Sequence, residues 1–263
     1  MDLGIAGNTA LLTASSSGLG KASAMALARE GVNVVINGRD TAKLEAAREE
    51  IEAEALGEVM AHPADLTDAE ALEGLVDATL DTFGRLDHLV TSAGGPPSGA
   101  FLDTDDADWY DAYDLLVMSV VRLVRHCAPH LKADGGGTIV TITSRSVKEA
   151  LDALVLSNSV RMSVIGLEKT LSKELAPEVR TNAVLPGAHE TARIRELIAQ
   201  AMERGDYDSY EEGLADWGAG NPLQRIGDPM ELGHTVAFLS SPLSGYINGA
   251  AIPIDGGSGA SNL

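Results

Sequence analysis

The sequence predicts an α/β chain built on a doubly wound, seven-stranded parallel sheet with helices on both faces. Short, continuously apolar runs recur along the whole length, and stretches with apolar residues at helical spacing lie between them. Strands of a parallel sheet are covered on both sides, so their runs show no alternation of apolar and polar residues. A glycine-containing turn also follows the first run directly, where a strand hands over to a helix.

The strand-like runs are residues 10–13, 32–36, 59–62, 88–91, 138–142, 180–185 and 251–254. A helical stretch, 21–30, follows the first. Leu44, Ala47, Ile51 and Ala55 then fall on one helical face. So do Leu72, Leu75, Val76, Thr79 and Phe83, and later Val160, Val164, Leu167, Leu171 and Leu175. The aspartate-rich stretch 103–114 reads as a loop and a helix start, with acids near the positive helix end. His126 and His130 flank Cys127 near an expected helix C-terminus, where they complement the dipole. No further ligand spacing makes them a metal site. Met118 and Met162 read as core or helix-interface fillers. Residues 190–222 form a long acidic insertion with a helical patch at 194–202, expected as a lid over a substrate site. With no internal repeat, residues 1–263 read as one domain.

Composition narrows the function classes. Asp and Glu number 39 against 19 Lys and Arg, a formal net charge of −20. Such a surface repels nucleic acid and anionic membranes. It suits high salt, where screening shrinks to a few ångströms, so a halophilic surface is expected. No run of about 18 apolar residues is present to span a membrane. Cys127 is the sole cysteine, which excludes an internal disulfide and suits a reducing compartment. The N-terminus lacks a basic, apolar leader, so the expected location is cytoplasmic.

The turn Thr13-Ala14-Ser15-Ser16-Ser17-Gly18-Leu19-Gly20 presents backbone N–H groups to a pyrophosphate at a helix N-terminus. Gly18 and Gly20 permit close approach of ligand and of helix to sheet. The second run ends in Asn37-Gly38-Arg39-Asp40. A carboxylate at that tip would hold a ribose 2′-hydroxyl and repel a 2′-phosphate. Gly38 stands there instead, and Arg39 offers a fork suited to phosphate. These residues favour NADP as cofactor, with NAD the alternative.

With these residues, the chain resembles the short-chain dehydrogenase/reductase family over nearly its whole length. Residues 13–20 are similar to that family's TGxxxGxG turn, with Ala14 in place of the first glycine. Asp65-Leu66 resembles the acidic pair that contacts adenine. Thr91-Ser92-Ala93-Gly94-Gly95 resembles the NNAG stretch, with both asparagines gone. Asn182-Ala183-Val184-Leu185-Pro186-Gly187 resembles NxVxPG, and Thr191 matches the threonine that holds the nicotinamide carboxamide. The segments 221–229 and 246–257 are similar to the family's C-terminal segments. The nearest branch is that of 3-oxoacyl carrier-protein reductases and glucose dehydrogenases.

The resemblance implies a single-domain, Rossmann-like fold and NAD(P)-dependent interconversion of carbonyl and alcohol on a small-molecule substrate. Cofactor contacts are implied at Thr13, Ser15, Ser17, Gly18, Leu19, Gly20, Arg39, Asp65, Leu66, Ser92, Ala93, Gly94, Arg161, Pro186, Gly187, His189 and Thr191. A homodimer or homotetramer is implied through the helices covering 108–129 and 157–175.

The family's catalytic apparatus is an Asn–Ser–Tyr–Lys tetrad, and the resemblance carries over one of its four members. Ser144 follows the run 138–142 as expected. Thirteen positions on, where tyrosine belongs, stands Ser157; four further, where lysine belongs, stands Arg161. Val164-Ile165-Gly166-Leu167 fixes that register. The asparagine position, anchored by Trp109 and Asp114, reads Leu116. A phenol of pKa about 10 can be tuned toward neutrality by a neighbouring cation, whereas an aliphatic hydroxyl cannot readily be. Arg161 stays charged and can bind ribose hydroxyls, yet is not equivalent to lysine. Leu116 cannot order a relay water. The expected catalytic residues are therefore Ser144, Ser157 and Arg161, with an unorthodox proton donor. His189 is one candidate for that donor, and Lys148 and Glu149 are candidates for bordering the substrate. The alternatives are a cofactor-binding protein without turnover, acting as sensor or subunit partner, and a lyase or epimerase-like use of the same fold.

Overall fold

The computed structural model describes residues 2–133 and 135–261. All seven apolar runs become strands of one parallel sheet: β1 (Thr9–Leu12), β2 (Asn33–Gly38), β3 (Val59–Pro63), β4 (His88–Thr91), β5 (Gly137–Ile142), β6 (Val179–Pro186) and β7 (Ala251–Ile254). Their order across the sheet is β3-β2-β1-β4-β5-β6-β7. The chain starts in the middle, winds outward to β3, returns to β4 and winds the other way to β7. Ala10 of β1 lies between Val34 of β2 and His88 of β4. The winding reverses between β1 and β4, and there a crevice opens beyond the carboxyl ends of the strands.

Alternate strand residues feed two cores. Leu11, Val35, Leu89, Ile139 and Val179 pack under α3 (Ala69–Phe83), α5 (Ser119–Leu131) and α6 (Val155–Glu174). Ala10, Leu12, Val34, Val90, Val140 and Val184 pack under α1 (Gly18–Arg29), α2 (Thr41–Glu52) and α9 (Pro229–Ser240). The faces named in the sequence are the buried ones: Leu44, Ala47 and Ile51 on α2, Leu72, Leu75 and Val76 on α3.

Local chemistry starts and stops these helices. Asp40 accepts from the Lys43 N–H at 3.0 Å and begins α2. Asp68 accepts from the Glu70 and Ala71 N–H groups and begins α3, which Gly84 ends at φ +72°. Helix α1 starts at Gly18, three residues earlier than its apolar spacing suggests.

The aspartate-rich stretch forms α4 (Asp106–Tyr113), with Asp105 accepting from the Asp108 N–H. A π-helical turn, Asp114–Met118, runs from α4 straight into α5, and His130 sits in the last turn of α5. The acidic insertion forms α7 (Ala192–Glu203) and α8 (Tyr210–Ala219). Gly213 of α8 lies so close to Ile198 and Tyr207 that a side chain there would clash, at 2.6 and 3.0 Å. Among the described residues, no helix is long and apolar enough to cross a membrane, and no group of three or more His, Cys, Asp or Glu could hold a metal ion.

Candidate active site

A cleft of about 520 Å³ opens beyond the carboxyl ends of the central strands. It gathers Ser17, Gly18, Leu19, Gly20, Arg39, Asp65, Leu66, Ser92, Ala93, Gly94, Pro186 and Thr191 from the sequence expectations. These residues come from six separate chain segments, so the fold alone unites them.

The glycine turn forms one wall. Gly18 has φ +56°, a left-handed conformation that L side chains rarely adopt. A Cβ on Gly20 would stand 2.5 Å from the Ala14 carbonyl oxygen, so the helix can approach the turn only without one. Thr13 and Ser15 build this wall without lining it. The Thr13 hydroxyl donates to the Ser92 carbonyl at 2.8 Å and accepts from the Ser92 N–H, joining the turns after β1 and β4. The Ser15 hydroxyl donates to the Leu12 carbonyl and accepts from the Asn37 N–H. Asn37, which sequence reasoning passed over, lines the cleft and donates to the carbonyls of His62 and Ala64. It ends an apolar run with a polar amide, the one signal that could have marked it.

The tip of β2 carries no free carboxylate toward the cleft. Asp40 is occupied as the cap of α2, and a Cβ on Gly38 would stand 2.9 Å from the Ser16 hydroxyl. Ser16 lines the cleft beside Arg39, whose side chain is 79% exposed and lies 3.9 Å from Asp65. The Asp65 carboxyl is held below the usual range by the backbone N–H and hydroxyl of Thr67, and secondarily by Arg39.

Beside the cleft lies a second, water-sized cavity of about 10 Å³. It shares Ser92, Ala93, Ile142 and Thr143 with the cleft and is further lined by Thr91, Leu116, Ser119, Thr141 and Arg161. Arg161 is buried, and its Nε has no hydrogen-bond partner. Burial pulls its guanidinium down to about 10. One turn before it on α6, Ser157 is buried with its hydroxyl 3.1 Å from that of Ser146. Ser144, next to the cleft-lining Thr143, is half-buried, and its Oγ accepts from the Ser146 N–H at 3.1 Å; neither Ser144 nor Ser157 is among the residues lining the cleft or the small cavity.

Other candidates fall elsewhere. His189 is buried in a separate cavity of about 180 Å³ with Asn221, Arg225 and Glu231. Its Nδ1 lies 3.1 Å from the Gly187 carbonyl oxygen, and burial lowers its pKa. Gly187 packs on Asp255, where a Cβ would meet Asp255 Cα at 2.8 Å. Both therefore stand behind the wall that Pro186 and Thr191 present. Glu149 accepts from the Ala260 N–H and pairs with Arg145 at 3.3 Å.

Residues 13–259 match the family model described as enoyl-(acyl carrier protein) reductase. The chain belongs to the short-chain dehydrogenase/reductase family. By that membership it is an NAD(P)-dependent oxidoreductase acting on CH–OH groups. An uncharacterized oxidoreductase of Bacillus subtilis, YvaG, is 32% identical over 98% of this chain and 98% of that protein. A 3-oxoacyl-[acyl-carrier-protein] reductase of Synechocystis is 32% identical over 94% of this chain and 95% of that protein. An L-sorbose reductase of Gluconobacter frateurii, solved with NADPH and L-sorbose, has a TM-score of 0.92 at 30% identity. That match covers 99% of this chain and 100% of the other.

Proposed function

We propose that this short-chain dehydrogenase/reductase is an NADP(H)-dependent carbonyl reductase, running also as an alcohol dehydrogenase, that works with the retained Ser144 and with Arg161 at the lysine position, and without the usual tyrosine. The observation that carries this is Arg161: a buried guanidinium with an unpartnered Nε, lining a small cavity of mixed polar and apolar walls that shares residues with the cleft. An unsatisfied buried donor is costly to the folded chain. Ligand hydroxyls or a relay water at this cavity would relieve that cost.

The cleft fits a dinucleotide. The left-handed backbone of Gly18 and the close contact of Gly20 with the Ala14 carbonyl keep the turn free of side chains at these two positions, and the helix α1 N-terminus favours negative charge there. Ser16 and Arg39 suit a 2′-phosphate, and Thr191 and Pro186 suit the nicotinamide end. Bound NADPH supplies the hydride. Ser144, whose Oγ already accepts from a backbone N–H, keeps its own hydrogen to donate to a carbonyl oxygen. Ser157, tied to Ser146, braces the segment that carries Ser144. Helices α7 and α8, which continue from the cleft-lining Thr191 and Ala192, act as the lid. The exposed Tyr110, Tyr113 and Met162 of α4 and α6 support a homodimer or homotetramer. The relatives suggest ketoses and 3-oxoacyl thioesters as first substrates to try.

The test of the cofactor is calorimetric titration with NADPH and NADH at high salt. NADPH should bind more tightly, and Arg39→Ala should cost NADPH about tenfold or more with little effect on NADH. Equal losses for both would remove the 2′-phosphate role. A second reading, cofactor binding without turnover, is favoured by the Ser157 hydroxyl being bonded inside the protein. NADPH binding with no carbonyl compound reduced would support it.

A further inference from the structure

Glu168 stands two turns beyond Arg161 on the inner face of α6 and lines neither the cleft nor the small cavity beside it. It is 3% exposed. Thr141 of β5 hydrogen-bonds to Glu168 Oε1, and Thr91 of β4 hydrogen-bonds to Thr141 Oγ1 at 2.8 Å. Thr181 of β6 donates to the Glu168 backbone carbonyl at 2.9 Å. Glu168 Oε2 is buried with no partner. Thr91 and Thr141 are also walls of the water-sized cavity that holds Arg161 and meets the cleft at Ser92 and Thr143. An unbroken chain of hydroxyls therefore joins a buried carboxyl to the side of the cleft.

A buried carboxyl with an oxygen lacking any donor is far cheaper neutral than charged. The groups facing it are hydroxyls, Thr141 from β5 and Thr181 from β6, and no charged neighbour contributes to its titration among the described residues. Along the chain, Ser119 and Val120 of α5 and Thr91 of β4 face the cavity, whose one charged lining group is Arg161. Burial pushes the Glu168 carboxyl up to about 8, with the two threonine hydroxyls pulling the other way.

We infer that Glu168 is the proton store of the reaction, exchanging its proton with the cleft through Thr141 and Thr91. This rests on the carbonyl-reductase reading. A carbonyl carbon that has taken up hydride leaves an alkoxide oxygen that needs one proton. The hydroxyls donate toward the carboxyl, Thr91 to Thr141 and Thr141 to Glu168 Oε1; with Glu168 protonated at Oε1 the same two contacts turn round, Glu168 donating to Thr141 and Thr141 to Thr91. Glu168 gives its proton to Thr141 Oγ1, Thr141 passes its own to Thr91, and Thr91 passes its own to one water in the cavity. That water delivers a proton to the alkoxide. Glu168 is left as carboxylate and regains a proton from solvent. In alcohol oxidation each transfer reverses.

The test compares wild type, Glu168→Gln and Thr141→Val by two readouts. The first is infrared difference spectroscopy of the protonated carboxyl stretch. The second is the pH profile of kcat for NADPH oxidation with a ketose or 3-oxoacyl thioester. A protonated-carboxyl band is expected in wild type at about pH 6, absent in Glu168→Gln and shifted in Thr141→Val. Turnover should fall roughly tenfold or more in both variants at unchanged NADPH affinity. The ionisation near 8 should vanish from the Glu168→Gln profile. A Glu168→Gln enzyme with the wild-type rate and profile overturns the proposal. So does the absence of the wild-type band. A band with no turnover of any carbonyl compound means that the reductase reading has failed, and the store loses its reaction with it.

Discussion

Replacing Arg161 by methionine should make the protein without cofactor more stable and its cofactor binding weaker. The guanidinium is buried and its Nε has no partner. Its fall from the ordinary arginine value to about 10 corresponds to roughly 3 kcal/mol of disfavoured charge. The unfolded chain holds this proton more tightly than the folded one. Below about pH 10 both states carry it, so the full cost applies at neutral pH. Methionine keeps most of the stem's packing and removes the charge. Allowing for some lost contacts, a gain of about 2 kcal/mol is expected, or about 4–8 °C in Tm for a chain of this size. NADPH affinity should fall about 10–100-fold, the equivalent of one charge-assisted hydrogen bond. Thermal unfolding with and without saturating NADPH reads both effects. An Arg161→Met protein that is less stable than wild type and binds NADPH equally well would show that Arg161 is a structural residue with a satisfied environment.

Three further outcomes follow from the packing and the charges. Gly20→Ala should cost about 1–3 kcal/mol and most NADPH binding, because its Cβ meets backbone atoms of Ala14 and Ser15 that cannot swing aside; chemical denaturation and titration check both. The part of folding stability that Glu168 contributes should fall as pH rises from about 4.5 to about 8, read as the difference between wild type and Glu168→Gln because the buried His88 and His189 act in the opposite sense. The folded state keeps the Glu168 proton that the unfolded chain has released, and Glu168→Gln should remove roughly 3–5 kcal/mol of that slope in urea titrations across the range. With a net charge of −20, Tm should climb as salt is raised from about 0.1 M to about 1 M, since screening shortens from about 10 Å to about 3 Å; a flat Tm would refute a salt-adapted surface.

The architecture was legible because parallel strands buried on both faces have to be apolar throughout, and all seven runs are strands within one or two residues of the expected ends. The glycine-turn wall of the cleft was legible where glycine is sterically required, at Gly18 and Gly20. Side-chain direction was harder. Thr13 and Ser15 belong to the right turn, yet their hydroxyls satisfy Ser92, Leu12 and Asn37 within the protein. His189 follows a cleft-lining proline, yet its ring packs against Gly227 in the adjoining cavity. Spacing along a chain fixes neither choice, because each depends on which acceptor the third dimension brings near. Glu168 was invisible for the same reason. On a helical wheel it is one acid among many, and only Thr141 and Thr91, from two other strands, give it a role.

The most direct measurement is steady-state NADPH oxidation at high salt against a panel of ketoses and 3-oxoacyl thioesters, with wild type and Ser144→Ala side by side. Wild type should turn over at least one carbonyl compound. Ser144→Ala should lower kcat about 100-fold or more with cofactor affinity unchanged, as removal of one donor to a developing oxyanion does. Tight NADPH binding with no turnover across the panel, or an unaffected Ser144→Ala rate, would contradict it.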